Sequence, residues 1–290
     1  MEYSLRLPEW IRKRTPRHLH GTKRILRRHG LSSVCEEARC PNIGDCFLKP
    51  TASFLIMGSK CTRNCGFCSV ASSQPEPLDA REPEMLARAA REMGLRYVVI
   101  TSVTRDDLED GGARHFAASV AAVRKHLPEA KVELLTPDFL GSEESMRIIL
   151  SSEPDVLNHN IETVPRLYPV IRPRADYRRS LSLLSYAKRN APGLLLKSGF
   201  MLGLGEHLRE VREVMFDLRA AGCDIITIGQ YLRPSKANLP VIEYVRPEIF
   251  EDLRFEAYSV GFRHVLSGPL VRSSMNAEDM YNNGISNTGG

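Results

Sequence analysis

Three cysteines within eight residues, Cys61-Thr-Arg-Asn-Cys65-Gly-Phe-Cys68, constrain this chain more than any other stretch. They follow directly on the short apolar run Phe54-Leu-Ile-Met-Gly58, which is bounded by turn-forming residues and reads as a buried strand. The thiols then fall on the loop leaving the strand's C-terminal end, where α/β proteins bind ligands. Three thiolates can hold three irons of a [4Fe-4S] cube and leave the fourth iron open to a substrate or cofactor. A structural zinc site is expected to supply four ligands and close. A disulfide reading leaves one thiol over and needs an oxidising compartment.

The C-x3-C-x2-C spacing is similar to the signature of the radical S-adenosylmethionine (SAM) enzymes. In that superfamily the open iron chelates the amino and carboxylate groups of SAM. An electron from the cluster then cleaves SAM to methionine and a 5′-deoxyadenosyl radical.

The chain has 290 residues, 42% hydrophobic and 26% charged, enough for one large α/β domain with extensions or two modest domains. No apolar stretch approaches the roughly 20 residues of a membrane span, and the N-terminus lacks the apolar core of a secretory signal. These features read as a cytoplasmic chain with no membrane partner. Six of the seven cysteines fall into two triplets, and a reducing compartment favours metal binding for them. The seventh, Cys223, reads as a small buried apolar residue. Net charge is +5, with Arg12, Lys13, Arg14, Arg17, Lys23, Arg24, Arg27 and Arg28 crowded near the start. Such a run binds an acidic protein or simply water. Without a nucleic-acid motif or interleaved aromatics, no nucleic acid is expected as a partner.

Residues 1–34 are basic and irregular apart from a helix expected over 21–29 and stopped by Gly30. Then comes the second triplet, Cys35-Glu-Glu-Ala-Arg-Cys40-Pro-Asn-Ile-Gly-Asp-Cys46, whose Pro41 and Gly44 make a tight loop suited to wrapping a cluster. Zinc is the rival here, with His18 or His20 as fourth ligand, and spacing alone leaves both open. After Cys68 helix and strand alternate. Helices are expected at 82–93, 113–126, 142–151, 180–190 and 208–221, and strands at 97–101, 131–135, 156–161, 194–201 and 225–230. With the first strand, that alternation argues for parallel βαβ units. Right-handed crossovers would curl six strands into an α/β partial (β/α)6 TIM-like barrel. The chain then divides into an N-terminal extension at 1–50, a barrel at 51–232 and a C-terminal extension at 233–290. That last segment is expected to hold one helix, 247–260, and a frayed end from 282.

Polar clusters follow the expected strands, where this architecture places an active site. Thr101-Ser-Val-Thr-Arg-Asp-Asp107 follows the second strand. Asn158, His159, Asn160 and Glu162 close the fourth, with Arg172 and Arg174 beyond, and Lys197, Gly203, Gly205 and Glu206 span the end of the fifth. Each has a structural reading of its own. Asp106 and Asp107 could cap a helix, Gly203 and Gly205 could make an ordinary turn, and His159 could be a satisfied core histidine. Asn158 and Asn160 could simply bond backbone. Together, on the rim of the Cys61 triplet, they read as a site for SAM. Asn and Glu bond its hydroxyls, and Arg pairs with its carboxylate. Asn158, Asn160, Glu162, Arg172, Lys197 and Glu206 are the candidates.

These segments together resemble the lipoyl synthases, from about Leu31 to Asn276. The likeness is carried by both cysteine triplets, Thr101-Ser-Val-Thr-Arg-Asp-Asp107 and Asn158-His-Asn-Ile-Glu-Thr-Val-Pro-Arg166. It continues through Arg172-Pro-Arg-Ala-Asp-Tyr177, Lys197-Ser-Gly-Phe-Met-Leu-Gly-Leu-Gly-Glu206 and Gly229-Gln-Tyr-Leu-Arg-Pro-Ser235, and ends in Gly268-Pro-Leu-Val-Arg-Ser-Ser274. The resemblance implies radical SAM-dependent insertion of two sulfur atoms, at C6 and C8 of a protein-bound octanoyl-lysine. It implies two [4Fe-4S] clusters with S-adenosyl-L-methionine, one cluster on Cys61, Cys65 and Cys68. The other, on Cys35, Cys40 and Cys46, is the sulfur source, so the resemblance selects iron over zinc. The fourth ligand of that auxiliary cluster is a serine of the family's Arg-Ser-Ser-Tyr motif, by position Ser274, with Ser273 as neighbour. Here the motif reads Arg272-Ser-Ser-Met275, without the tyrosine. Gly66 stands where many members carry proline, a difference expected to be harmless. The implied partners are octanoylated lipoyl domains of 2-oxoacid dehydrogenases and the glycine-cleavage H protein, a reductant such as ferredoxin or flavodoxin, and an iron–sulfur carrier.

Two rival readings stand beside this one. Another radical SAM sulfur-transfer enzyme, biotin synthase-like or methylthiotransferase-like, is disfavoured by the Cys35 triplet and the terminal Ser-Ser. An iron–sulfur electron carrier or sensor explains the thiols but not the polar rim.

Overall fold

Alternation of residue type along the strands dictates two different faces, and the fold uses both. A computed structural model describes residues 6–11, 20–47 and 52–286. In chain order its regular elements begin with α1 (His20–Arg28), β1 (Ser32–Ser33), α2 (Val34–Glu37), α3 (Ile43–Cys46), β2 (Ser53–Ile56), β3 (Lys60–Cys61) and β4 (Ala71–Ser72). They continue through α4 (Glu82–Glu92), β5 (Tyr97–Ser102), α5 (Ala113–His126), β6 (Lys131–Leu135), α6 (Glu143–Ser151), β7 (Val156–Asn158) and α7 (Tyr168–Ile171). The last are α8 (Tyr177–Asn190), β8 (Leu195–Leu202), α9 (Leu208–Ala220), β9 (Ile225–Gln230), α10 (Pro247–Val260), β10 (His264–Gly268) and α11 (Ala277–Ser286). Local chemistry sets several ends. The Ser142 hydroxyl caps α6 and the Asp176 carboxylate caps α8, each accepting a first-turn N–H. Pro247 opens α10, and Gly261 closes it with φ at +102°.

Strands β2 and β5 to β10 lie side by side in chain order, every neighbouring pair parallel, and β1 adds antiparallel to β2. There is no reversal of the kind that makes a doubly wound sheet, so right-handed crossovers place the helices on one face. The edges β1 and β10 do not pair with one another, which leaves the barrel-like sheet open. Six parallel strands were expected, and the described residues form seven. His264–Gly268 pairs with β9 over five residues, so α10 and β10 repeat the βα unit. The irregular stretch between β9 and α10 hides that repeat from sequence periodicity. The strand expected over 156–161 ends at Asn158, because the chain leaves the ladder there and Glu162 turns to a φ of +66°. Residues 282–286, expected to fray, are helical in α11. Residues 287–290, like Arg12, Lys13, Arg14, Arg17 and His18, lie outside the described residues.

The outward residues of the strands, including Ile100, Leu134, Leu157, Leu196 and Ile226, form the main core against the helices. The inward residues near the strands' N-terminal ends pack instead on α11. Val156, Leu195 and Ile225 surround Met280, and Tyr97 and Val99 meet Ala277. The Tyr97 and Tyr281 rings lie 5.8 Å apart, and the Lys131 ammonium stands 5.7 Å from the Tyr281 ring. Above this plug sits a buried charge pair. Lys197 Nζ donates to both Glu133 oxygens at 2.9 and 3.1 Å, Asn158 Nδ2 to Oε1 at 2.9 Å, and Tyr97 OH to Oε2 at 2.9 Å. Among the described residues no helix is long and apolar enough to cross a membrane.

Removing one member of this pair leaves a charge with no solvent access. Lys197→Met is therefore expected to cost about 3–5 kcal/mol in chemical denaturation. Lys197→Met with Glu133→Gln should recover most of that loss. A single variant with unchanged stability would show that the pair does not bear on folding.

Candidate functional site

The cysteine loop is built at the C-terminal end of β2 by two consecutive left-handed residues, Met57 at φ +67° and Gly58 at φ +86°. A non-glycine residue in that region is strained. Here the Met57 N–H is fixed by the Glu82 carboxylate at 2.8 Å, and His115 holds the same oxygen at 2.7 Å. The loop closes on itself where β3 pairs with β4. Cys61 Sγ accepts N–H groups from Arg63 at 3.4 Å and Thr104 at 3.3 Å. The Cys68 carbonyl accepts from Asn238 Nδ2 at 2.7 Å, and the Gly66 carbonyl from Leu239 N at 3.0 Å. A strap after β9 is thereby seated on the loop. Burial pushes the Cys65 thiol up, and it lies near enough to feel Arg172, Cys61 and Glu162.

Gly66 fits its surroundings. Its N–H donates to the Ile171 carbonyl at 2.9 Å, and a Cβ there would meet the Leu239 side chain at 2.6 Å. Proline at this position would lose the bond and press on that side chain, so in this chain the glycine is matched to Leu239.

The second triplet forms around two short helices. Ser33 caps α2, which carries Cys35, and α3 carries Cys46. Cys40 N donates to Cys35 O at 3.0 Å, and Cys46 N to Asn42 O at 2.9 Å. Cys35 is raised by burial and by the neighbouring Cys40 and Cys46. Antiparallel pairing of β1 with β2 brings this loop against the first parallel strand. Asn42 Nδ2 donates to Leu270 O at 2.6 Å and lies 3.5 Å from Met275 Sδ. The N-terminal cysteine loop thus meets the loop bearing Ser273 and Ser274. Arg272 in that loop feels both Cys40 and Glu162, and burial lowers its affinity for its proton.

The candidate SAM residues separate into two groups. Asn160, Glu162 and Arg172 gather at the rim. Asn160 Nδ2 donates to Ser273 Oγ at 3.3 Å, and Arg172 Nη1 donates to Asn160 O, Ile161 O and Tyr168 OH. Burial pushes the Glu162 carboxyl up. Lys197 and Asn158 lie deeper, engaged with Glu133, and Glu206 is turned onto backbone. It accepts the Gly203 N–H and, at 2.9 Å, the Leu204 N–H, holding a turn in which Gly203 and Gly205 have φ near +100°. His159 is a satisfied core histidine, bonded to Thr136 O at 2.9 Å and Ser180 Oγ at 3.0 Å. Cys223 is fully buried, as expected. Asp106 and Asp107 cap no helix. Asp106 pairs with Arg63 and Asp107 with Arg105, while Asp110 accepts the Gly112 and Arg114 N–H groups at the start of α5. Sequence reasoning missed Arg63, Asn42 and Glu133 as organising residues. For Arg63 the signal was a lone basic residue inside the triplet facing two consecutive carboxylates at the next strand end.

The residues fit the groups that such spacing implies. Cys61 receives two backbone donors, the usual support of cluster sulfurs. Asn160 Oδ1 and Arg172 Nε are buried with no partner among the described residues, a costly state that a polar ligand would relieve. Among the described residues, no three Cys, His, Asp or Glu side chains form a group able to hold one metal ion. The irons of a cube stand apart, so its sulfur ligands need not converge. The side chain of His20, like His18, lies outside the described residues.

A model of the radical SAM superfamily matches residues 55–218 of the chain. A lipoyl synthase of Caldanaerobacter subterraneus subsp. tengcongensis is 54% identical over 276 residues, 95% of this chain and 97% of that protein. A lipoyl synthase of Caldicellulosiruptor saccharolyticus is 52% identical over 274 residues, 94% of this chain and 96% of its own. The crystal structure of methylornithine synthase is similar with a TM-score of 0.54 at 14% identity, covering 87% of this chain and 82% of that one. The last likeness speaks to fold alone.

Cys35 and Cys68 keep some surface, yet burial pushes both thiols up to about 12. The thiolate is the nucleophile. In metal-free protein, iodoacetamide at about pH 8 should therefore label both far more slowly than a small free thiol, with rates still climbing above about pH 10. Peptide mass spectrometry checks this, and rapid labelling at the lower pH would contradict it.

Proposed function

Because the chain belongs to the lipoyl synthases of the radical SAM superfamily, we propose that its two cysteine triplets hold two [4Fe-4S] clusters with separate tasks. The protein is a sulfurtransferase that inserts two sulfur atoms, at C6 and C8, into an octanoyl chain carried on a lipoyl domain. Bound SAM and one cluster supply the radical that breaks unactivated C–H bonds, and the other cluster supplies sulfur.

Alkyl C–H bonds offer no acid–base handle, so the side chains work by holding, orienting and excluding water. Cys61, Cys65 and Cys68 hold the radical cluster. Cys35, Cys40, Cys46 and Ser274 hold the auxiliary one. A serine oxygen is a hard, weak ligand for such a cluster, which suits a donor that must be dismantled. The single observation that supports this division is the contact of Asn160 with Ser273 at 3.3 Å, beside that of Asn42 with Leu270 at 2.6 Å. The loop bearing Ser273 and Ser274 thus meets both the Cys35 loop and the strand-end residues Asn160, Glu162 and Arg172 that we assign to SAM. Asn160 Oδ1 and Arg172 Nε are buried with no partner among the described residues, a state that a polar ligand would relieve. Lys197 and Asn158 support this floor through Glu133, and Glu206 shapes the Gly203 turn. The functional division is 1–50 for the auxiliary triplet, 51–232 for the radical barrel and 233–290 for the serine ligand, with β10 contributed to the sheet by the last segment. Partners in this reading are octanoylated lipoyl domains of 2-oxoacid dehydrogenases, the glycine-cleavage H protein, a ferredoxin or flavodoxin, and an iron–sulfur carrier, all in the cytoplasm.

Incubation with SAM, dithionite and an octanoyl-lysine peptide tests the assignment. Alanine at Cys61, Cys65 or Cys68 should abolish both 5′-deoxyadenosine and thiolated product. Substantial SAM cleavage by any of these would place the cluster elsewhere. Alanine at Cys35, Cys40 or Cys46 should preserve some deoxyadenosine and give no thiolated product. Parallel loss of SAM cleavage in all three would instead make that triplet a structural staple, and sustained turnover by Cys40→Ala would sink the sulfur-donor role. Ser274→Ala should act similarly but more mildly, while Ser274→Cys should make the auxiliary cluster more persistent and the reaction slower.

A further inference from the structure

Arg63 stands between the first two cysteines of the radical triplet, and its side chain is almost wholly buried. Its Nε and Nη2 form a fork on Asp106 at 2.7 and 2.8 Å, and Nη2 also reaches Asp138 at 2.6 Å. Asp138 is fully buried, and its other oxygen lies 3.0 Å from Arg179 Nε. Burial raises its carboxyl, but the hydrogen bond and charge of Arg63, with the smaller influences of His159 and Arg179, together outweigh that and leave it at about 2. The loop carrying Asp106 also grips Cys61 and Thr62 through its backbone N–H and C=O groups. Thr62 N and Oγ1 donate to Thr104 O, Asp106 N donates to Thr62 Oγ1, and Thr104 N donates to Cys61 Sγ. Arg174 adds a bond to Thr62 O at 2.6 Å.

Two cations, Arg63 and Arg179, balance two anions, Asp106 and Asp138, directly beneath the cysteine loop. A planar fork fixes both distance and direction, which a lysine cannot do. We propose that Arg63 is a positioning residue that fixes the geometry of the radical cluster loop and sets the charge balance against which that cluster accepts its electron. This rests on assigning the radical cluster to Cys61, Cys65 and Cys68. Reduction adds negative charge. Without Arg63, Arg179 still pairs with Asp138, one negative charge of the clamp stands uncompensated and the reduced state is disfavoured. Without the Asp106 charge, the surplus is positive and the reduced state is favoured. Opposite shifts from two residues of one clamp are an electrostatic signature that mere structural support does not produce.

The test is a redox titration of reconstituted holoenzyme, followed by electron paramagnetic resonance, with iron content and deoxyadenosine rate measured alongside. Arg63→Met should lower the midpoint potential of the radical cluster and cut deoxyadenosine formation roughly 10- to 100-fold, as expected for partners outside the ligand sphere. Arg63→Met with Asp138→Asn should return the potential toward wild type. Asp106→Asn, which keeps the Asp138 contact, should raise it, and serves as the decisive variant should Arg63→Met not fold. Arg63→Lys should retain the potential better than Arg63→Met while losing cluster occupancy. Wild-type potentials in both Arg63→Met and Asp106→Asn at full iron content overturn the proposal, as do shifts of the same sign in the two. If Arg63→Met does not fold, an unchanged or lowered potential in Asp106→Asn overturns it alone. Cys65→Ala is the control. A radical-cluster signal that survives in it removes the underlying assignment, whereas its loss beside an unshifted clamp variant removes only the role of Arg63.

Discussion

The inner face of the sheet depends on one buried charge pair. Glu133 and Lys197 are each about as inaccessible as the apolar core, with side chains 1% exposed. Attraction at that depth is strong, but desolvation offsets much of it, and such a pair holds only when its remaining polar atoms are met. Asn158 and Tyr97 meet both oxygens of Glu133, so strands β5 to β8 are tied through one carboxylate. Helix α11 closes the space below with Met280 and Tyr281 and keeps water from the pair. The interior is thereby filled at one end and left polar and open at the other, where the strands' C-terminal ends gather the thiols.

Above that floor, small residues decide what can enter. A Cβ on Gly199 would collide with the Thr227 hydroxyl, and one on Gly229 would collide with the Val271 carbonyl. The chain after β10 can therefore run across the inner face and bring Arg272, Ser273 and Ser274 toward Asn160 and Asn42. The first and last parts of the molecule meet there, and each completes the surroundings of the other. The Cys61 triplet is held in a different way. Its loop is anchored from below by Glu82 on Met57, from one side by the Arg63 clamp, and from another by the strap at Asn238 and Leu239. These contacts come from four separate stretches of chain and hold the three thiols from several directions at once.

Much of this was legible in the sequence because it is local. The triplet spacings, the βα alternation and the strand-end position of the thiols all sit within a few residues of one another, and periodicity or spacing reports them directly. The expected helices over 113–126 and 247–260 match α5 and α10, since apolar stripes and turn residues mark both ends. The isolated Cys223 and the bonded His159 were likewise readable from residue type and strand context.

What tertiary structure decided involves partners far apart in the chain. Lys197 looked like a rim cation, and only its pairing with Glu133, 64 residues away, shows it as part of the floor. Asn42 meets Leu270 across 228 residues, and no local pattern encodes such a contact. The seventh strand needed β9 beside it to be recognised, because a five-residue polar-apolar run has no identity until it pairs. Sequence by itself determined which chemistry the chain carries, since thiol number and spacing are covalent facts. Folding decided which charged residues face that chemistry and which support it, because burial and pairing are set by neighbours that the chain acquires only when it closes on itself.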